Sequence, residues 1–248
     1  MLGRTHMAVG ALGAATAAPL LLHEPSHMLT PLRSVIGGTH SIESLVAVIL
    51  AGAVGGLLPD MDQKDAQASR RVERIGQLAS IIIIFGALFV LHLWHSPIAW
   101  AVAVLAYFGA ISHAEWMRKL SMLLLAGGSF VFGVTHQRWM TSMIFAAVWF
   151  VAATFTPHRT FTHSIIGTAV TFGALVFINN QLHAPFLLDA IMIGYVLHIL
   201  ADAIAGGVPL LWPYKRRQGV RLVRTGDWRD HIIGSLSTIL MLVVTFVR

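Results

Sequence analysis

Nine apolar segments fill most of this chain, at 7–22, 41–58, 77–93, 97–112, 120–135, 139–156, 164–178, 186–205 and 232–247. Apolar runs this long and this poor in charge fold either as helices buried in a core or as helices immersed in lipid. Composition decides between the two. Of 248 residues, 56% are hydrophobic and only 11% charged, against about 25% charged in soluble domains. The expected fold is therefore all-α: a multi-pass transmembrane helix bundle of about nine spans, with residues 1–248 forming one integral membrane domain. Several segments are shorter than the roughly 20 residues that cross a bilayer core, so their helices must extend into the flanks or lie half-buried. The 7–22 segment is rich in Gly and Ala, small residues that let helices approach closely in a membrane. No cleavable signal peptide is read at the N-terminus, because further spans follow the first run.

Charge sets the expected orientation. With the N-terminus in the cytoplasm and nine alternating spans, the inner loops hold Arg4, Lys64, Arg70, Arg71, Arg74, Arg118, Lys119, Arg159, Lys215, Arg216, Arg217, Arg221, Arg224 and Arg229. The outer side holds only Arg33, Arg138 and the C-terminal Arg248, a division of 14 against 3 among the 17 Lys and Arg. Cytoplasmic loops carry such an excess, which also accounts for the net charge of +6 without nucleic acid. The longest basic loop is 206–231, where Trp212-Pro213-Tyr214-Lys215-Arg216-Arg217 suits a membrane interface.

The chain has no cysteine, so any metal must be held by His, Asp or Glu. His198 and Asp202 are four apart in an apolar segment and share one helical face. His and carboxylate together are ligands for a borderline divalent cation. His158 and His163 bracket Arg159 in the connection before the seventh segment, and Asp60 and Asp62 close the second. His6 precedes the first segment, while Asp227, Asp230 and His231 precede the ninth. The topology places all of these on the cytoplasmic face, although none was used to choose it. The plainer alternative makes each an ordinary polar residue near a helix end. Ionisable residues beside hydrocarbon are costly and mark function by default. Seven candidate ligands, His6, Asp60, Asp62, His158, His163, His198 and Asp202, exceed what one ion needs. They point to two ions, or to one with supporting acids and bases. The outer histidines, His23, His27, His40, His92, His95, His136 and His183, are scattered without ligand spacing and are read as interfacial.

These motifs carry a resemblance. Thr5-His6-Met7-Ala8-Val9-Gly10, the Pro59-Asp60-Met61-Asp62 element, His158-Arg159-x-x-Thr162-His163-Ser164, and His198-x-x-x-Asp202 followed by Gly207 and Trp212-Pro213 resemble the YdjM-like family. That family consists of predicted membrane-bound metal-dependent hydrolases, some described as LexA-regulated. The likeness runs from His6 to about Asp230. More remotely, Leu197 to Asp202 is similar to the His-x-x-x-Asp helix of zinc-dependent phospholipase C and of single-strand-specific nucleases of the P1 type. The resemblance implies phosphoester hydrolysis, one to three zinc ions, a Thr-His dipeptide matched by Thr5-His6, and a late acidic ligand. Asp230 stands where that ligand, often Glu, is expected.

The expected function is that of a metal-dependent hydrolase acting on a lipid or amphiphilic phosphoester at the inner leaflet of the cell's inner membrane. A divalent metal, zinc above others, would be held by His6, Asp60, Asp62, His158, His163, His198, Asp202 and Asp230. One of Asp60 and Asp62 would ligate while the other orients or deprotonates the attacking water, and Arg159 would bind phosphoryl oxygens. A nuclease ranks below a lipid enzyme, because a substrate held in the membrane explains why the enzyme is there. The competing class is an ion- or proton-coupled transporter using the same His/Asp cluster. A transporter favours ionisable groups near the midplane and internal repeats, and no repeat is found. A structural membrane protein that binds metal only for stability is a third reading.

Overall fold

A computed structural model describes residues 1–22, 42–62, 114–182, 185–220 and 222–246, together with 78, 81–82, 85–86, 88–90, 92–97, 99–100 and 103–104. Seven long helices lie among them: α1 (Gly3–Leu21), α2 (Ile42–Gly55), α3 (Ala114–Thr135), α4 (Met140–Phe155), α5 (Ile165–Leu182), α6 (Pro185–Ala205) and α7 (Trp228–Phe246). No strand occurs among the described residues; two backbone segments meet only at an isolated bridge between Val208 and Gln218. Each helix coincides with one of the apolar segments. Of the remaining two segments, 77–93 is described in part and 97–112 falls largely outside the described residues; Arg33, Lys64, Arg70, Arg71, Arg74, Arg221, Arg248 and the histidines at 23, 27, 40 and 183 lie outside them.

Gln137–Phe155, Phe186–Ala205 and Trp228–Phe246 are each long and apolar enough to cross a membrane, and Ile42–Gly55 and Ile165–Ile178 are shorter apolar helices. At about 1.5 Å per residue, the 21 residues of α6 measure roughly 31 Å, the thickness of a hydrocarbon core. The helices show large apolar side chains outward, among them Phe132, Phe155, Phe172, Leu200 and Phe246. A water-soluble surface would not tolerate so many, and lipid does.

Inside, α1, α2 and α6 pack against one another and α7 lies on α1, while α3, α4 and α5 form a second row that meets α6 through α5. Small residues set the first group. A Cβ on Gly10 would collide with the Gly52 carbonyl, one on Gly55 with the Ile191 carbonyl, and one on Gly194 with the Gly52 carbonyl. Backbone therefore touches backbone where α1, α2 and α6 cross, the close approach that small residues permit in membranes. Ala14, Ala18, Val48, Ala51 and Ala190 continue this seam. Its consequence is local. The C-terminal end of α2 is brought against the middle of α6, and the polar residues that follow α2 meet those at the end of α6.

Candidate metal centre

Three short backbone devices aim the polar residues. After α2 the chain makes a 3-10 turn, Leu58–Asp62, with Pro59 and Asp60 inside it. After α4 it makes a second, Phe161–His163, whose Phe161 is buried beside Trp149 and Ala153, with Met61 packed on the same cluster. The two turns are thereby fixed to each other through apolar contacts. The third device ends α6. The amides of Gly206 and Gly207 both donate to the Asp202 carbonyl, and Gly207 has φ +80°, the left-handed closure that glycine permits.

Asp60, His163, His198 and Asp202 converge so that one ligand atom from each lies within 4.8 Å of the others. His163 Nε2 is 3.1 Å from His198 Nε2. Asp60 Oδ1 is 3.7 Å from each of these nitrogens, and Asp202 Oδ2 lies 3.5 Å from His163 and 3.9 Å from His198. Ligands about 2.0–2.2 Å from one tetrahedral ion stand about 3.3–3.6 Å apart. The four atoms thus outline a site of the right size for one divalent cation. Asp60, His163, His198 and Asp202 are all at most 1% exposed, and Asp60 Oδ1 and Asp202 Oδ2 accept no hydrogen bond. Arg159 and the Met1 amino group offset the charge of Asp202 from outside the group, and a cation held between the two buried carboxylates would serve Asp60 as well.

The ring nitrogens are prepared for that role. His198 Nδ1–H donates to the Gly56 carbonyl at 2.7 Å, which leaves Nε2 unprotonated and directed at the other ligands. His163 Nδ1 meets the Thr162 hydroxyl at 2.9 Å, a contact that orients the ring with Nε2 toward the other ligands. Partners of this kind orient metal-ligating histidines. The Tyr195 hydroxyl, fully buried, donates to the Thr162 carbonyl at 2.5 Å, tying α6 to the turn that carries His163. Removing it takes a hydrogen bond from a buried carbonyl, so Tyr195→Phe is expected to cost about 1–3 kcal/mol. The same change should weaken metal binding by about tenfold, the lower range for supporting partners. Thermal melts and metal titration of the purified variant check both.

The other sequence candidates take different places. His6 stacks on His198 with ring centroids 3.6 Å apart, and its Nε2 is 3.2 Å from Asp202 Oδ1. It therefore flanks the four on the second oxygen of Asp202, and neither of its buried ring nitrogens makes a hydrogen bond. The Met1 amino nitrogen is 2.7 Å from that same oxygen. His158 is 29% exposed, with Nε2 3.9 Å from Asp60 Oδ1 and its ring edge-on to His163, so it stands at the mouth. Arg159, in the left-handed region at φ +58°, brings Nε to 3.0 Å from Asp202 Oδ2 and is 19% exposed. Asp62 ends its 3-10 turn, and its side chain lies outside the described residues. Asp230 is fully buried; its Oδ2 accepts the amides of Leu2 and Gly226, bracing α1 against α7, while its Oδ1 makes no hydrogen bond, and it is not among the four converging residues. Sequence reading passed over Tyr195 and the Gly56 carbonyl as supports. A buried Tyr three residues before His198 was the available signal, since a buried phenol needs a partner.

Fold and site together define a helical membrane protein with a buried His/Asp group able to hold a metal ion. Residues 1–247 match the family model for the YdjM inner membrane protein, and the chain belongs to that family. No curated protein and no solved structure matches it.

Proposed function

We propose that this protein is a metal-dependent hydrolase that cleaves a phosphoester in a lipid or amphiphilic substrate at the cytoplasmic face of the inner membrane. The observation that carries the reading is the convergence of four buried ligand atoms, with both histidine rings oriented by hydrogen-bond partners, at the ends of apolar helices. Asp60, His163, His198 and Asp202 hold the ion, and the mixed nitrogen and oxygen set suits zinc. A divalent ion there supplies Lewis acidity toward a phosphoryl oxygen and lowers the pKa of water.

The chain's own residues do the rest. Arg159 engages Asp202 through Nε and, being part-exposed, offers its remaining donors to phosphoryl oxygens in fork geometry. His158 lines the same open edge. With Asp60 among the four, the orienting of water falls to Asp62 on the same turn. The nine-span topology, with N-terminus inside and C-terminus outside, puts this edge on the inner leaflet, in keeping with the 14-to-3 division of basic residues. Labelling of single cysteines introduced at Lys119, Gln181 and Arg216 tests it: an externally accessible position 216 overturns the orientation.

Asp62→Asn is expected to keep bound metal and to lose turnover by about 10²–10⁴-fold, the range for a positioned acid–base group. The assay is hydrolysis of phospholipids, isoprenoid phosphates and nucleic acid by purified, metal-loaded protein. Hydrolysis of none of these, together with ion flux into liposomes, would replace the hydrolase with a transporter.

A further inference from the structure

The connection between α6 and α7 is bonded back onto the metal-bearing elements. The Val208 amide donates to the Gln218 carbonyl and the Gln218 amide to that of Val208, at 3.0 and 2.9 Å. The Leu210 amide adds a bond to Gln218 Oε1. Beyond this hairpin, the Val220 and Leu222 amides donate to the Ala203 and Ile204 carbonyls in the last turn of α6, immediately after Asp202. Gly219, at φ +144°, makes that approach possible, because a Cβ there would strike the Ala203 carbonyl. On the other side, the Trp212 ring meets Phe161 edge-on at 5.6 Å, in the turn that carries His163. The hairpin is thus a strap across the two elements of the centre.

Its tip carries Lys215, Arg216 and Arg217, all exposed, and no acidic residue occurs anywhere in 203–226. Among these cations stand exposed apolar side chains: Leu211 at 57%, Tyr214 at 58% and Leu222 at 56%. Water alone would favour the cations and reject the apolar groups. The boundary of an anionic bilayer accepts both, with rings and alkyl groups at headgroup depth and cations on phosphate. The strap reaches such a boundary whichever way the chain enters the membrane. It joins two membrane-length helices, Phe186–Ala205 and Trp228–Phe246, so both its ends return to one face.

We propose that the strap of residues 208–220 is a binding site for the phosphate headgroup of anionic phospholipid, placed at the rim of the metal centre. As a device that gathers substrate it rests on the hydrolase reading; as a lipid site it stands without it. The test uses full-length protein in phosphatidylcholine bilayers carrying trace spin-labelled phosphatidylglycerol or phosphatidylcholine, with the protein-immobilised fraction read by electron paramagnetic resonance. Wild-type protein is expected to prefer the anionic label by at least about threefold at low salt, and to lose the preference in about 0.5 M salt as screening shortens the field. The triple variant Lys215→Gln/Arg216→Gln/Arg217→Gln should abolish the preference with bound metal unchanged, while Lys119→Gln should keep it. Should the triple variant misfold, the charge-keeping Lys215→Arg/Arg216→Lys/Arg217→Lys protein must still show the preference. No preference in the wild type, or full preference in the triple variant, overturns the proposal. Binding of single-stranded DNA through these three cations, without lipid preference, would replace lipid with nucleic acid. Absence of hydrolysis with an intact lipid preference would count against the hydrolase reading alone.

Discussion

Gly194→Ala is expected to destabilise the protein by about 3 kcal/mol, the upper end of overpacking costs, and to empty the metal centre with it. The new Cβ would overlap the Gly52 carbonyl and come within 2.7 Å of the Gly56 amide nitrogen. Both obstacles are backbone, so no rotamer change relieves them, and α2 must move away from α6. That movement stretches the bond from His198 Nδ1 to the Gly56 carbonyl, now 2.7 Å, and carries Asp60 away from His198. Stability and metal content should therefore fall together in thermal melts and metal analysis of detergent-purified protein. Gly127→Ala is the contrasting case. Its Cβ meets nothing within 4 Å in the interior of α3, where Ala is favoured over Gly by up to about 1 kcal/mol. It should be neutral or slightly stabilising. Equal effects from the two substitutions would mean that the α2–α6 contact is not tight.

His198→Ala is expected to weaken divalent metal binding by more than about 100-fold, beyond the 10–100-fold typical of a supporting partner. His198 is the hub of the site. Its Nε2 faces Nε2 of His163 and the carboxylates of Asp60 and Asp202, and its ring supports His6. His163→Ala should behave alike, since its Nε2 faces the same carboxylates. Asp230→Asn should retain metal, because the amide oxygen can still accept from Leu2 or Gly226. Isothermal titration with zinc separates the cases. Full occupancy in both histidine variants would reduce these residues to polar groups at helix ends.

Much of this was legible in the chain. Seven of the nine apolar segments coincide with the helices α1 to α7, because a lipid-facing helix leaves an uninterrupted apolar run. His198 and Asp202 were readable as a pair, since four residues make one turn whatever surrounds them. The joining of Asp60, His163 and His198 was expected from residue type alone; their distances follow from the glycine seam, which brings residues 142 apart in sequence into hydrogen-bond contact. No local pattern reports such a crossing. The same limit explains His6, Arg159 and Asp230. All three were placed in the site by motif or by likeness. His6 and Arg159 reach it as neighbours of Asp202, whereas one oxygen of Asp230 is bonded to backbone amides. The Gly56 carbonyl was invisible in this respect and Tyr195 was signalled only by its place one turn before His198, because a supporting role depends on what the folded chain brings alongside.

X-ray absorption at the metal edge of purified wild-type protein tests the central claim most directly. The account predicts about one retained divalent ion in a shell of nitrogen and oxygen ligands at about 2.0–2.2 Å. The outer-shell scattering should be that of two imidazoles, one of which disappears in His198→Ala. A protein that retains no stoichiometric metal, or whose ion shows no imidazole scattering, would contradict it.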